Sequence, residues 1–364
     1  MPLDLAEVAQ QVVRSCLAPR RGAPVVLAWE DYADDWFEAL AAALAAAGAR
    51  PVLRRCDGRG LAVAAARCGV ATAAGLVIPR ADEVPRGAAV VLLQPDGGDG
   101  AAPGLDPAAR GAVEQAAYGH LAGLLAAGHP VALCAWPRPG TREVDGEVLD
   151  GPAVRELFAR ALAIDYAALR RRNAALVRRL RGARVVRLRC PLGTDVTVDV
   201  GGRPWLSDEG RRAPVRGRRR LVDEQYYQLP GGEVYVAVRE RSATGRVCFR
   251  RGGRTLALTL TRGLAVALAP ADGSPGDDAV ARLARRLGVG QEPLGELGLG
   301  TNPGATARPV GTLDEKCLGT AHVALGSNSR FGGRCRSHRH ADLIITDPHL
   351  ELDGDTQPLH KALT

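Results

Sequence analysis

The stretch Ala23–Cys56, "APVVLAWEDYADDWFEALAAALAAAGARPVLRRC", decides how the first half of this chain folds. "APVVLAW" has the length and the apolar, β-branched texture of a buried strand. "DDWFEALAAALAAAGA" sets two acids ahead of an alanine-rich apolar period and ends at Gly48, which predicts a helix with its start and stop. "RPVLRRC" is then a second strand, and a strand–helix–strand order joins parallel neighbours through a helical crossover. The rhythm continues in "AAVVLLQP" (Ala88–Pro95), "PAARGAVEQAAYGHLAGLLAAG" (Pro107–Gly128) and "HPVALCAWP" (His129–Pro137). The expected fold class is α/β, with an open parallel sheet covered by helices in the N-terminal part.

Further along, "RELFARALAIDYAALRRRNAALVRRLRGA" (Arg155–Ala183) reads as one long connector helix ending near Gly182. From "RVVRLRCPLGTDVTVDVGGR" (Arg184–Arg203) the texture changes to short alternating strands with glycine-rich turns, as in "GEVYVAVRE", "GRVCFRRGGRTLALTL" and "AHVALG". The expectation is an α/β domain with its connector helix at 1–180 and a strand-rich α+β metal-binding domain at 181–364. No internal repeat is visible, and "DGGDGAAPG" (Asp96–Gly104) reads as a surface loop.

Composition narrows the function classes. At 364 residues the chain can bury two cores, and no stretch is long and apolar enough to span a bilayer. The start, "MPLDLAEVAQQVVRSCLAPRR", lacks a basic n-region followed by an apolar core and reads as an amphipathic helix, so a cytoplasmic location is expected. Eight scattered cysteines without a CxxC pair fit reduced thiols, not a disulfide framework or a cysteine zinc site. The net charge of +8 would suit an anionic partner, yet only Lys316 and Lys361 are lysines among 48 basic residues, a pattern of arginine-rich coding bias. The dense run "RRAPVRGRRR" (Arg211–Arg220) carries no interleaved aromatic residue for base stacking and reads as a solvated loop. Neither a nucleic-acid nor a membrane partner is expected.

The histidines point to chemistry instead. The chain has seven, and His322, His338 and His340 crowd into "GTAHVALGSNSRFGGRCRSHRHADLIITD" (Gly319–Asp347). In "RHADLIITD" strand alternation turns His340 and Asp342 to one face, a His-x-Asp half-site for an ion. His322 lies on another expected strand, whereas His338 sits in an arginine-rich turn and reads as exposed. Two histidines and an aspartate compose the facial triad of non-haem Fe(II) enzymes, and equally one half of a hydrolytic two-metal centre. Glu233, opening a strand after a Pro-Gly-Gly turn, and Glu296, in an apolar glycine-rich run where an unpaired charge is costly, are the carboxylates that would decide between them.

The ordered set "GTDVTVDVGGR", "LPGGEVY", "LGELGLGTNP", "LDEKCLGTAHVALG" and "HAD", spanning Gly193–Asp342, resembles the thermophilic aminopeptidases, the metallopeptidase family of aminopeptidases T and S. That resemblance implies a two-metal centre of zinc, cobalt or manganese with Glu233, Glu296, His322, His340 and Asp342 as ligands, and a homodimeric enzyme that trims N-terminal residues. Dihydroxypyridine dioxygenase looks like a relative on the same fold, and it implies a mononuclear alternative: one Fe(II) on His322, His340 and Asp342, with the two glutamates around it. The peptidases carry a tyrosine seven residues beyond the histidine of "HVALG", where this chain has Ser329. A hydroxymethyl group reaches less far than a phenol toward a tetrahedral intermediate.

The expected activity is hydrolysis of an N-terminal or specialised amide in a small peptide or small molecule by a metal-bound hydroxide. Glu315 is a candidate proton shuttle, with a plain turn residue as its alternative, and Ser329 is the position that tunes the reaction. A ring-cleaving Fe(II) dioxygenase is the second expectation, and a catalytically inactive binding member of the fold the third.

Overall fold

The computed structural model describes residues 3–95, 107–144, 147–212, 220–337 and 339–355. The Asp96–Gly104 segment, His338 and most of the Arg211–Arg220 run, read above as loop or exposed, lie outside these residues. Among the described residues no helix is long and apolar enough to cross a membrane. All eight cysteines are free thiols, and five of them are buried.

The architecture is mixed α/β, as the sequence leads one to expect. Strands Pro24–Glu30, Arg50–Cys56, Ala89–Pro95 and Val131–Trp136 form a parallel sheet, with the Arg50 strand at one edge. The helix Asp34–Ala46 makes the first crossover, starts on two acids and lays Trp36, Phe37, Leu40 and Leu44 into the core. A fifth parallel strand comes from far down the chain: Tyr226–Leu229 pairs with Val131–Cys134 and closes the other edge. The sheet started by the first half is thus completed by the second.

The expected single connector helix is two helices, Gly151–Leu162 and Tyr166–Leu180. The break has a physical cause. Asp165 is extended and its carboxylate accepts from the backbone N–H groups of Ala167 and Ala168, which starts a new helix in a sequence whose propensity would have continued the old one.

The second half is a sandwich of two antiparallel sheets. One runs in the order Leu264–Pro270, Arg254–Thr261, Thr244–Arg251, Asp195–Asp199, Val185–Arg189, His349–Leu352. The other runs His340–Ile345, Ala321–Gly326, Leu294–Gly300, Glu233–Ala237, Leu206–Asp208. Val196, Val198, Val247 and Leu258 of the first sheet share one core with Val236, Leu297, Leu299, Val323, Leu343 and Ile345 of the second. That core consumes every second residue of the second sheet. Its other face is left for side chains of a different kind.

Candidate metal centre

Register across that second sheet sorts its residues. Glu233 pairs with Gly300, Tyr235 with Gly298 and Ala237 with Glu296. Gly298 pairs in turn with His322, and Glu296 with Ala324, which faces Asp342. Directly opposed residues project to the same side, as do residues two apart, so Glu233, Glu296, His322, His340 and Asp342 all stand on the face opposite the core. Asp208 joins them as the partner of Glu233.

Local structure sets each donor. The turn before Glu233 is tight: a Cβ on Gly232, at φ +140°, would meet Asn302 at 2.4 Å. Asn302 in turn donates its amide to the carbonyls of Gly231 and Ala161, and Asn173 donates to the Glu233 carbonyl, so the strand begins in a fixed place.

Glu233, Glu296 and His322 offer one ligand atom each within 4.8 Å of one another, and all three are buried. His322 Nε2 lies 3.5 Å from Glu233 Oε2 and 3.4 Å from Glu296 Oε1. The other Glu296 oxygen lies 3.6 Å from His340 Nε2, which is 3.4 Å from Asp342 Oδ1. The five sequence candidates for metal binding therefore come together around the Glu296 carboxylate. Asp342 Oδ1 is buried without a hydrogen-bond partner.

Beside them sits a buried lysine. Lys316, in the short helix Leu313–Lys316, is 1% exposed and places Nζ 2.9 Å from Glu233 Oε1, 3.2 Å from Glu315 Oε1 and 3.6 Å from Asp208 Oδ2. Burial alone would lower its pKa, but the charges of Glu233, Glu315 and Asp208 outweigh it and keep the ammonium protonated. Burial raises Asp208 to about 7 against the pull of Lys316, and it holds Glu315 well above the usual carboxylate range. Burial also raises Glu296, with His322 and His340 opposing. His322 is pulled down by burial and up more strongly by Glu296, Asp342 and Glu233, reaching about 10. Metal-free, the cluster is short of positive charge, and an imidazole proton partly makes up the deficit.

The donors lie where two cavities meet. One, of about 530 Å³, is lined by Glu233, Glu296, His322, His340 and Asp342 together with tyrosines and Phe331, and by Gln94, Tyr118 and Leu133 of the first half. The other, of about 1400 Å³, also reaches Glu315, His340 and Asp342. Glu315 thus turns its carboxylate into the site. Ser329 does not: it is exposed, its hydroxyl 3.3 Å from Ser327 Oγ, and it lines neither cavity. His349 belongs to the other sheet. Sequence reasoning missed Asp208, which no spacing marks out. Lys316 carried a signal, its rarity in an arginine-rich chain.

No protein family and no curated protein matches this chain. Solved structures do. Wild-type AmpT from Thermus thermophilus is 22% identical, with a TM-score of 0.64 over 96% of this chain and 94% of its own. The 2,5-dihydroxypyridine dioxygenase from Pseudomonas putida KT2440 is 16% identical, with a TM-score of 0.60 over 97% and 96%. Identity this low speaks for architecture and not for reaction. The chain shares its fold, end to end, with these two proteins.

Proposed function

We propose that this protein is a metal-dependent hydrolase of the aminopeptidase type, cleaving an N-terminal amide of a small peptide or a specialised amide substrate. The Glu296 carboxylate carries the reading. Its two oxygens face different histidines, so that Glu233, Glu296 and His322 form one donor set and Glu296, His340 and Asp342 a second that shares it. A carboxylate shared by two nitrogen-and-oxygen sets suits two adjacent divalent ions. Imidazole with carboxylate is the donor chemistry of zinc, cobalt or manganese, and the charge deficit of the cluster fits added cations. The likeness to AmpT supports the same reading.

Two such ions would supply Lewis acidity toward the amide carbonyl and an acidified water. The chain's own residues do the rest. Lys316 holds Glu233 Oε1 and leaves Oε2 facing His322. Glu315, whose carboxyl burial pushes upward against the pull of Lys316 and which lines the cavity, is the group placed to carry a proton to the departing amine. The aromatic wall of the smaller cavity shields the reacting groups and takes the apolar part of the substrate. A cytoplasmic homodimer without nucleic-acid or membrane partners belongs to the same proposal.

Elemental analysis of the reconstituted protein, together with hydrolysis of leucine amides, tests it. About two ions per chain and metal-dependent cleavage are expected. A protein that takes up no metal, or takes up two ions and cleaves no amide, refutes it.

One observation favours a mononuclear dioxygenase instead. With Glu233 Oε1 engaged by Lys316, the remaining His322, His340 and Asp342 compose a two-His-one-carboxylate set for Fe(II), and the second structural neighbour is a dioxygenase. One iron per chain and oxygen uptake with a dihydroxylated aromatic would establish that reading.

A further inference from the structure

Four tyrosines, Tyr118, Tyr226, Tyr227 and Tyr235, line the smaller cavity, and they are not equivalent. Tyr118 is 54% exposed on a first-half helix. Tyr226 is committed: its hydroxyl donates to Asp223 at 2.9 Å and accepts from Arg330 Nη2 at 2.6 Å. Tyr227 alternates with Tyr226 along its strand and packs against the first-half core. Tyr235 stands on the donor face itself. It follows Glu233 by two residues and pairs with Gly298, whose other neighbour is His322. With no side chain on Gly298, nothing on that strand separates the phenol from the imidazole.

The ring is held in place, 5.6 Å from Phe331 in an edge contact and opposite Leu206. Tyr235 lines both the cavity that holds the donors and a neighbouring one of about 690 Å³ beside Trp205 and Glu209, and among the described residues its hydroxyl has no hydrogen-bond partner.

We propose that the Tyr235 hydroxyl is the hydrogen-bond donor this centre offers to the substrate carbonyl oxygen as that carbon becomes tetrahedral. The inference rests on the hydrolase reading above and supplies the phenol that Ser329 does not. As the nucleophile adds, the carbonyl π bond opens and its electron pair moves onto oxygen. Tyr235 donates to that oxygen and keeps its own proton, so the proton count of the reaction is unchanged.

Tyr235→Phe removes one oxygen and preserves the ring that packs on Phe331. The full chain, reconstituted with zinc, is titrated with the phosphonate analogue of leucine, a tetrahedral mimic, and assayed on leucine amide. Loss of one such donor is expected to weaken mimic binding and kcat by about 100-fold, with KM and metal content unchanged. Ser329→Ala is expected to match the unmodified protein in every readout. Unchanged mimic affinity in Tyr235→Phe, or a loss explained by lost metal, overturns the proposal. An unmodified protein that neither binds the mimic nor cleaves the amide sinks the hydrolase reading, and this inference with it.

Discussion

Gly298 lies directly across the sheet from His322, and a Cβ built on it would come within 2.1 Å of the imidazole Nε2. The glycine is therefore part of the histidine's placement. Gly298→Ala must push the ring out of line with Glu233 and Glu296. A destabilisation of about 1–3 kcal/mol is expected by denaturant titration, because the ring that must give way is itself buried. Metal bound at the His322 side should fall with it, as elemental analysis would reveal.

The two glutamates should separate by count. Glu296→Gln weakens an oxygen shared by both donor sets and is expected to lower occupancy of both ions. Glu233→Ala touches one set and should leave about one ion bound. Equal, full occupancy in both variants would remove the glutamates from the coordination shell.

Removing Lys316 leaves Glu233, Glu315 and Asp208 without their shared counter-charge. Breaking a buried network from one side costs about 3–5 kcal/mol. Lys316→Met is expected to lose stability on that scale when metal-free, and to recover part of it when zinc is added, as thermal unfolding with and without metal would show.

Proton release is the pH signature. His322 titrates near 10 in the metal-free site, above its usual 6.5, so at pH 8 the ring carries a proton that zinc must expel. Its protonated form stabilises the folded metal-free protein fully below about 6.5, and that contribution is lost as the pH climbs through 10. Calorimetric titration in buffers of different ionisation heat should detect the released proton. A zinc-loaded protein should not show that loss of stability.

What could be read from the sequence was what is local. The parallel strands of the first half and the helix Asp34–Ala46 declare themselves through apolar runs and acids at a helix start. His340 and Asp342 share a face because period two is visible within one strand. The strand Tyr226–Leu229 was not legible, since its meaning lies in a neighbour, Val131–Cys134, far away in sequence. Asp208 was hidden for the same reason: only cross-strand register brings it beside Glu233, and only folding brings Lys316 to both. The break before Tyr166 did carry a local sign, the Asp165 cap, overridden in the reading by an unbroken run of helix-forming residues.

The strand Tyr226–Leu229 edges the parallel sheet, and only the turn Pro230–Gly232 separates it from Glu233. The two halves are therefore not interchangeable modules. A fragment ending near residue 180 would expose a row of open backbone donors and acceptors along Val131–Trp136, a template for pairing with a second copy of itself. Any recombination that swaps the catalytic half must carry the Tyr226 strand's fit to its new host sheet along with it, which ties the inheritance of the reacting face to that of the scaffold.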